Sequence, residues 1–340
     1  MGCRWSTDMS GLFQNKTTFN DNISKWNTSK VVDMSGMFLG ATIFNQSINT
    51  GEKHGNYWPW DVSKVTNMSN MFKDTSFNQS INYWSLNNLK NLSGMFENNK
   101  VFNQSINSHE LEVDGATEYY WDVSKVTSMK NMFKNSSFNQ SINNWILNNL
   151  KDVSSMFENN KLFDQSLNTR EETYDGIKYY YWDVSGVTDM TGMFQNTSFN
   201  QPIGKWNTSK VKLFTRMFWN TSKFNQPINT SGNKWDVKNA THFEYMFGNT
   251  KRFNQNINNW NFKNVGNVGN TGMFMGAEEF NQPLGKWDFT GTFDPDNHKD
   301  KSKGFALMFA GTKKFNQNIN NWKIPDEDNL LEGMFAGAKE

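Results

Sequence analysis

Internal repetition constrains this chain more than any other feature. The stretch WDVSKVTSMKNMFKNSSFNQSIN at residues 121–143 recurs in degenerate form from one terminus to the other. A Met-Phe pair falls at 37–38, 71–72, 95–96, 132–133, 156–157, 193–194, 217–218, 246–247, 273–274, 308–309 and 334–335, and Leu12-Phe13 stands for it in the first copy. A second Phe follows at 19, 44, 77, 102, 138, 163, 199, 224, 253, 280 and 315, and the residue after it is Asn except at Asp164. An Ile or Leu and then a Trp close each copy. A chain of 340 residues could make two domains by length alone. Repetition at this period instead predicts one repeat solenoid over 1–340, of about 11–12 coils.

Two spacings alternate within a copy. Val62, Val65, Met68 and Met71 come at steps of three, which suits a short helix or a 3₁₀ turn with one buried stripe. Ile142-x-x-Trp145-x-Leu147 and Ile319-x-x-Trp322-x-Ile324 then follow the L-x-x-L-x-L spacing of a leucine-rich repeat, whose final alternation marks a short strand. The expected fold is therefore leucine-rich-repeat-like: short parallel strands on one face and short helical, 3₁₀ or irregular returns on the other. With 29 Phe, 18 Met and 14 Trp, its core would be aromatic and thioether.

The V-T-x-M-x-x-M-F and F-N-Q-x-I-x-x-W segments resemble the mycoplasma-type surface-protein repeat of about 25 residues, a relative of the BspA-like leucine-rich repeats that is also found in large DNA viruses. The resemblance spans nearly the whole chain and implies a solenoid with a surface or interaction role. The lipoprotein reading does not transfer, because the start of the chain lacks the apolar run of a secretory or lipoprotein signal.

Copies differ by insertions at 49–59, 107–120, 168–181, 229–234 and 290–303, the first four in every second copy. Residues 60–120 and 121–181 also align with each other, so a two-coil unit was the object duplicated. Insertions at one point of the coil must emerge along one edge, roughly 10 Å apart at strand spacing. Their bodies are mostly acidic, and the first three end in aromatics: Tyr57 and Trp58, Tyr119 and Tyr120, and Tyr179, Tyr180 and Tyr181. These aromatics are the expected contact residues for another protein. Neither terminus shows a polar cap, so the last coil, with Met334 and Phe335, is also expected to dock on a partner.

The Asn after each core Phe reads as a structural ladder joining coils: Asn45, Asn78, Asn103, Asn139, Asn200, Asn225, Asn254, Asn281 and Asn316. The Trp and Met-Phe columns read as core. Lys plus Arg number 34 against 33 Asp plus Glu, so no overall field favours nucleic acid. Cys3 is the lone cysteine, which excludes internal disulfides. Gly2 and Cys3 fit an acylation pattern, through which alone a membrane would be reached, since no run approaches the length of a membrane helix.

His54, His109, His242 and His298 stand singly, and no nucleophile–base pair, phosphate loop or recurring metal ligands accompany them. Asp294-x-Asp296-x-His298-x-Asp300 lacks the Gly and the Glu of a calcium loop. No catalytic residue, cofactor or metal is expected. The sequence thus predicts a non-enzymatic structural or interaction scaffold whose partners are other proteins in a larger assembly such as a virus particle. A bacterial cell-surface adhesin is the alternative setting, and a glycan-binding module the alternative of another class.

Overall fold

The computed structural model describes residues 6–49, 59–113, 116–229, 235–262, 270–289, 304–322 and 330–338. Contacts divide the chain into two compact units, Met1–Asp183 and Val184–Glu340. Among the described residues there is no helix, and the only strands are four of five residues each, in two antiparallel hairpins of the first unit.

Both units are built by stacking copies on one backbone pattern. In residues 34–41, the N–H groups of Met34, Gly36, Phe38 and Gly40 donate to the carbonyls of Asn67, Ser69, Met71 and Lys73 in the next copy, at 2.7–3.1 Å. The N–H groups between them, of Met37, Leu39 and Ala41, turn back to Met34, Gly36 and Phe38. Each amide is thus used either across copies or within a turn, as burial requires.

Of the helical, 3₁₀ or irregular returns expected, the described residues form irregular ones. A right-handed helix needs negative φ throughout, whereas each Met-Phe segment carries two left-handed residues four apart. Gly94 and Asn98 have φ of 64° and 61° in the first unit, and Gly192 and Asn196 have 59° and 57° in the second. The second of these positions, two residues after the Met-Phe Phe, is held by Asn15, Gly40, Asp74, Asn98, Asn135 and Asn159 in the first unit and by Asn196, Asn220, Asn249, Gly276, Gly311 and Gly337 in the second. Gly, Asn and Asp are the residues that enter this region at least cost. The result is a run of consecutive turns.

The strand expected over Ile142-x-x-Trp145-x-Leu147 is also absent. Ile142 and Trp145 close a turn instead, the Trp145 N–H donating to the Ile142 carbonyl at 3.2 Å. Parallel pairing between copies occurs elsewhere, as single bridges linking Asp8, Asp33, Asn67, Asn91, Ser128 and Asp152 in the first unit and Asp189, Leu213 and His242 in the second. Most of these residues are Asp or Asn whose side chain accepts the N–H two residues on, as Asp33 does from Ser35 at 2.7 Å. That local bond bends the chain out of strand geometry after one paired residue.

The core consists of aromatic columns. Phe13, Phe38, Phe72, Phe96, Phe133 and Phe157 stack with centroids 5.6–5.8 Å apart. Phe194, Phe218, Phe247, Phe274 and Phe309 do the same in the second unit at 5.6–5.8 Å. Each also stacks on the second Phe of its own copy, as Phe96 does on Phe102 at 3.9 Å and Phe218 on Phe224 at 3.9 Å. Beyond area burial, such pairs contribute about 0.5–1.5 kcal/mol each.

Repetition satisfies most polar groups in this core, Ser154 Oγ and Asn270 Oδ1 being buried without a hydrogen-bond partner among the described residues. Within each unit buried Trp residues donate their indole N–H to the Ile or Leu carbonyl of the preceding copy, as in Trp121 to Ile81 at 2.8 Å and Trp260 to Ile228 at 2.9 Å. Asn45, Asn78, Asn103, Asn139 and Asp164 donate their backbone N–H to the side-chain oxygens of Asn20, Asn45, Asn78, Asn103 and Asn139 in turn, at 2.8–3.1 Å. Asn225, Asn254, Asn281 and Asn316 donate likewise to Asn200, Asn225, Asn254 and Asn281 at 2.9–3.0 Å. A second ladder runs through side chains alone: Asn98 to Asp74, Asn135 to Asn98 and Asn159 to Asn135, at 2.7–2.8 Å.

Candidate functional site

The repeat leaves the two hairpins as its surplus. β1 (His109–Val113) pairs antiparallel with β2 (Ala116–Tyr120), and β3 (Arg170–Tyr174) with β4 (Ile177–Tyr181). The second turns on Asp175 and Gly176, at φ of 49° and 77°, a two-residue turn whose left-handed pair matches the twist of the strands. Both insertions have the mostly acidic bodies and aromatic ends expected of them, and both fold as hairpins. The signal that marks them as hairpins is Asp-Gly, at 114–115 and 175–176, between residues of alternating character.

Each hairpin is tied to the stack at its base. Ser108 Oγ donates to the Trp121 carbonyl at 2.6 Å, and Thr169 Oγ1 to the Trp182 carbonyl at 2.7 Å. Trp60, Trp121 and Trp182, which follow insertions, have left-handed φ of 54°, 52° and 49°. Where no insertion precedes it, the Trp N–H closes a turn on the Ile or Leu three residues back, as Trp84 does on Ile81 and Trp287 on Leu284. Trp121 and Trp182 instead donate to the carbonyls of Trp84 and Trp145 in the preceding copy, at 3.0 and 2.9 Å. A left-handed Trp is strained, and here it redirects the chain from hairpin back into stack.

The copy between the hairpins, carrying Ile142 and Trp145, has no insertion. A cleft of about 1050 Å³ therefore opens between them, entirely within the first unit. Its floor includes Asp122, Asn144, Ile146 and Asn148; Glu110, Thr117 and Tyr119 come from one wall, and Glu172, Tyr174, Ile177 and Tyr179 from the other. Tyr119 is 53% exposed and Tyr174 57%.

Arg170 organises the second wall. Its guanidinium lies 4.0 Å from the Tyr181 ring centroid, donates from Nε to Glu172 at 2.9 Å, and reaches the Asn143 carbonyl and Asn144 Oδ1 at 2.5 and 2.7 Å. Tyr174 donates its hydroxyl to the other Glu172 oxygen at 2.7 Å. The Tyr174 bond, followed by the Arg170 bond and charge, holds the Glu172 carboxyl below its ordinary range, and the same bond raises the Tyr174 hydroxyl. Burial first, then the Glu172 charge, raises Tyr181. Lys178, also at the cleft, pairs with Glu171 at 2.5 Å and is raised by it. On the first wall His109 stacks on Tyr120 with centroids 5.3 Å apart, and both meet Tyr83.

Of the expected contact residues, Tyr119, Tyr120, Tyr179, Tyr180 and Tyr181 all line this one cleft. Arg170, Tyr174, Tyr83 and Asn144 were not anticipated, because nothing in their local spacing distinguishes them. Tyr57, Trp58, Gly2, Cys3 and the segment 290–303 lie outside the described residues. Of the pair expected in the last coil, Met334 lies in the buried Met column at 5% exposure, and Phe335 stacks on Phe309 at 5.5 Å and is 48% exposed. The Asn ladder residues are spent on their neighbours' backbone, as described above. Among the described residues no group of three or more His, Cys, Asp or Glu could hold a metal ion, and no helix is long and apolar enough to cross a membrane.

A family model described as "Mycoplasma protein of unknown function, DUF285" matches residues 4–109, 115–179, 176–232, 228–298 and 272–340, which is nearly the full length in tandem. No curated protein and no solved structure matches.

Proposed function

The chain belongs to this family of mycoplasma proteins of unknown function, and we propose that it is a non-enzymatic interaction scaffold. In this reading each unit is a leucine-rich-repeat-like solenoid, and the hairpin cleft is where a partner protein is held. Support for the solenoid comes from the parallel bridges and the indole-to-carbonyl bonds that pass from copy to copy in one direction. The observation that carries the scaffold reading is a division of labour. The repeated Met, Phe, Trp and Asn are consumed in stacking and hydrogen bonds between copies, whereas the hairpin tyrosines are set out around an open cleft. Rigid, amphipathic Tyr rings lose little entropy on contact and recur at interface centres.

A photo-cross-linking residue placed at Tyr119 or Tyr180 is expected to yield discrete protein adducts in the source cell, and the same probe at Lys314 to yield none. Equal labelling at all three positions, or none at Tyr119 and Tyr180, would reject the scaffold reading. Deleting residues 170–181 leaves Leu167-Asn168-Thr169-Trp182, which restores the spacing of Ile142-Asn143-Asn144-Trp145. That variant should fold normally and lose the adducts formed from Tyr119.

A further inference from the structure

We propose that the cleft between the hairpins seats an extended, basic peptide segment, with an Arg or Lys side chain lodged against Glu110 and Tyr119. The inference deepens the scaffold reading and rests on it. Its first ground is charge. Glu110, Asp122, Glu172 and Asp175 line the cleft against Arg170 and Lys178. Both cations are already engaged, Arg170 with Glu172 and Lys178 with Glu171. Glu110, exposed at the wall, is offered to no cation among the described residues. A cleft of this balance repels anions and favours a cationic guest.

The second ground is that the cleft already holds one guanidinium in the required manner. Arg170 lies on the face of Tyr181 and on the carboxylate of Glu172, combining a ring face with a charge-assisted hydrogen bond. Across the cleft, Glu110 and Tyr119 are direct cross-strand partners on one face of β1–β2 and set a carboxylate beside a phenol ring, and among the described residues no cation is paired with Glu110. An incoming Arg completes there what Arg170 completes on the opposite wall.

Shape decides between a peptide and a sugar. Stacking sites for glycans need a flat aromatic platform, but Tyr174 and Tyr179 meet edge to face at 61°. The walls are instead two β-hairpins separated by one copy without an insertion, roughly 10 Å apart at strand spacing. A slot of that width suits an extended chain. Its volume of about 1050 Å³ stands at the upper end of small-ligand sites, which run to roughly 1,000 Å³.

The test uses the full chain and a fluorescein-labelled hexapeptide of alternating Thr and Arg, read by fluorescence polarisation. Binding should weaken at least tenfold when citrulline replaces Arg, at least fivefold in each of Glu110→Gln and Tyr119→Ala, and progressively with salt. Glu97→Gln, which removes the part-buried pair with Lys73 elsewhere in the first unit, should leave binding unchanged. Equal binding of the citrulline peptide, no response to Glu110→Gln and Tyr119→Ala together, or an equal loss in Glu97→Gln would overturn the proposal. So would binding of cellohexaose that Tyr119→Ala abolishes. Adducts at Tyr119 and Tyr180 without binding of the Arg peptide would overturn the basic-peptide assignment alone; loss of both would remove the scaffold reading as well.

Discussion

The indole N–H of Trp145 donates to the carbonyl of Ile106 in the preceding copy, at 2.8 Å, in a site closed to solvent. Trp145→Phe keeps an aromatic ring in the column but leaves that buried carbonyl without its donor. Stability to urea should fall by about 1–3 kcal/mol, the cost of an unsatisfied buried polar group with some lost packing. No change in the unfolding midpoint would show the bond to be dispensable.

Asn139 Oδ1 accepts two hydrogen bonds, from the Asp164 backbone N–H and from Gln165 Nε2, each at 3.1 Å. Asn139→Ala removes both and should cost about 1–2 kcal/mol. Asn139→Asp keeps the acceptor and should cost far less at neutral pH. Equal losses in the two variants, measured by thermal unfolding, would assign the effect to something other than the ladder.

Gly94 and Gly176 both have left-handed φ, of 64° and 77°, but differ in surroundings. A Cβ at Gly94 would stand 2.2 Å from Asn70 Oδ1, whereas one at Gly176 meets nothing within 4 Å. Gly176→Ala should therefore cost only the backbone term, about 1–2 kcal/mol of local hairpin stability. Gly94→Ala adds a clash across copies and should lower the midpoint of the whole first unit. Equal global effects would contradict this.

Glu172 has a folded-state pKa below its unfolded one, through Tyr174 and Arg170. Its contribution to the hairpin is therefore full above the ordinary glutamate range and lost as pH falls through the depressed folded value. Tyr174 and Lys178 are raised, so what they add is full below their ordinary values and lost as pH rises through the folded ones. Tyr174 ring signals followed by NMR should show hairpin order across neutral pH, failing at both extremes. Glu172→Gln should abolish the acid limb; an unchanged limb would place its cause elsewhere.

Much of the fold was legible because a fixed period forces the same residue types into the same place. Phe72, Phe96 and Phe133 fall in one column on spacing alone, and so does the Asn that follows each second Phe. The return segments stay open between helical, 3₁₀ and irregular forms in sequence, because steps of three among apolar residues suit a helix and a run of turns equally. The residues that decide, such as Asp74, Asn98 and Asn135, lie off the apolar stripe and act through φ. Half of the candidate site was visible as insertion tyrosines. Arg170 was not, because its meaning comes from Tyr181 and Asn144, eleven residues ahead in the hairpin and one copy behind.

The sequence by itself determined that the chain repeats, which side chains form its aromatic columns, and which copies carry extra residues, since all three are properties of order along the chain. Only the tertiary structure decided that copies join by single bridges and left-handed turns, and that the uninserted copy around Trp145 leaves a cleft walled by Glu110 and Tyr119 on one side and by Glu172 and Tyr179 on the other. The physical reason is distance along the chain. Those walls are some sixty residues apart in sequence, and stacking alone sets them face to face.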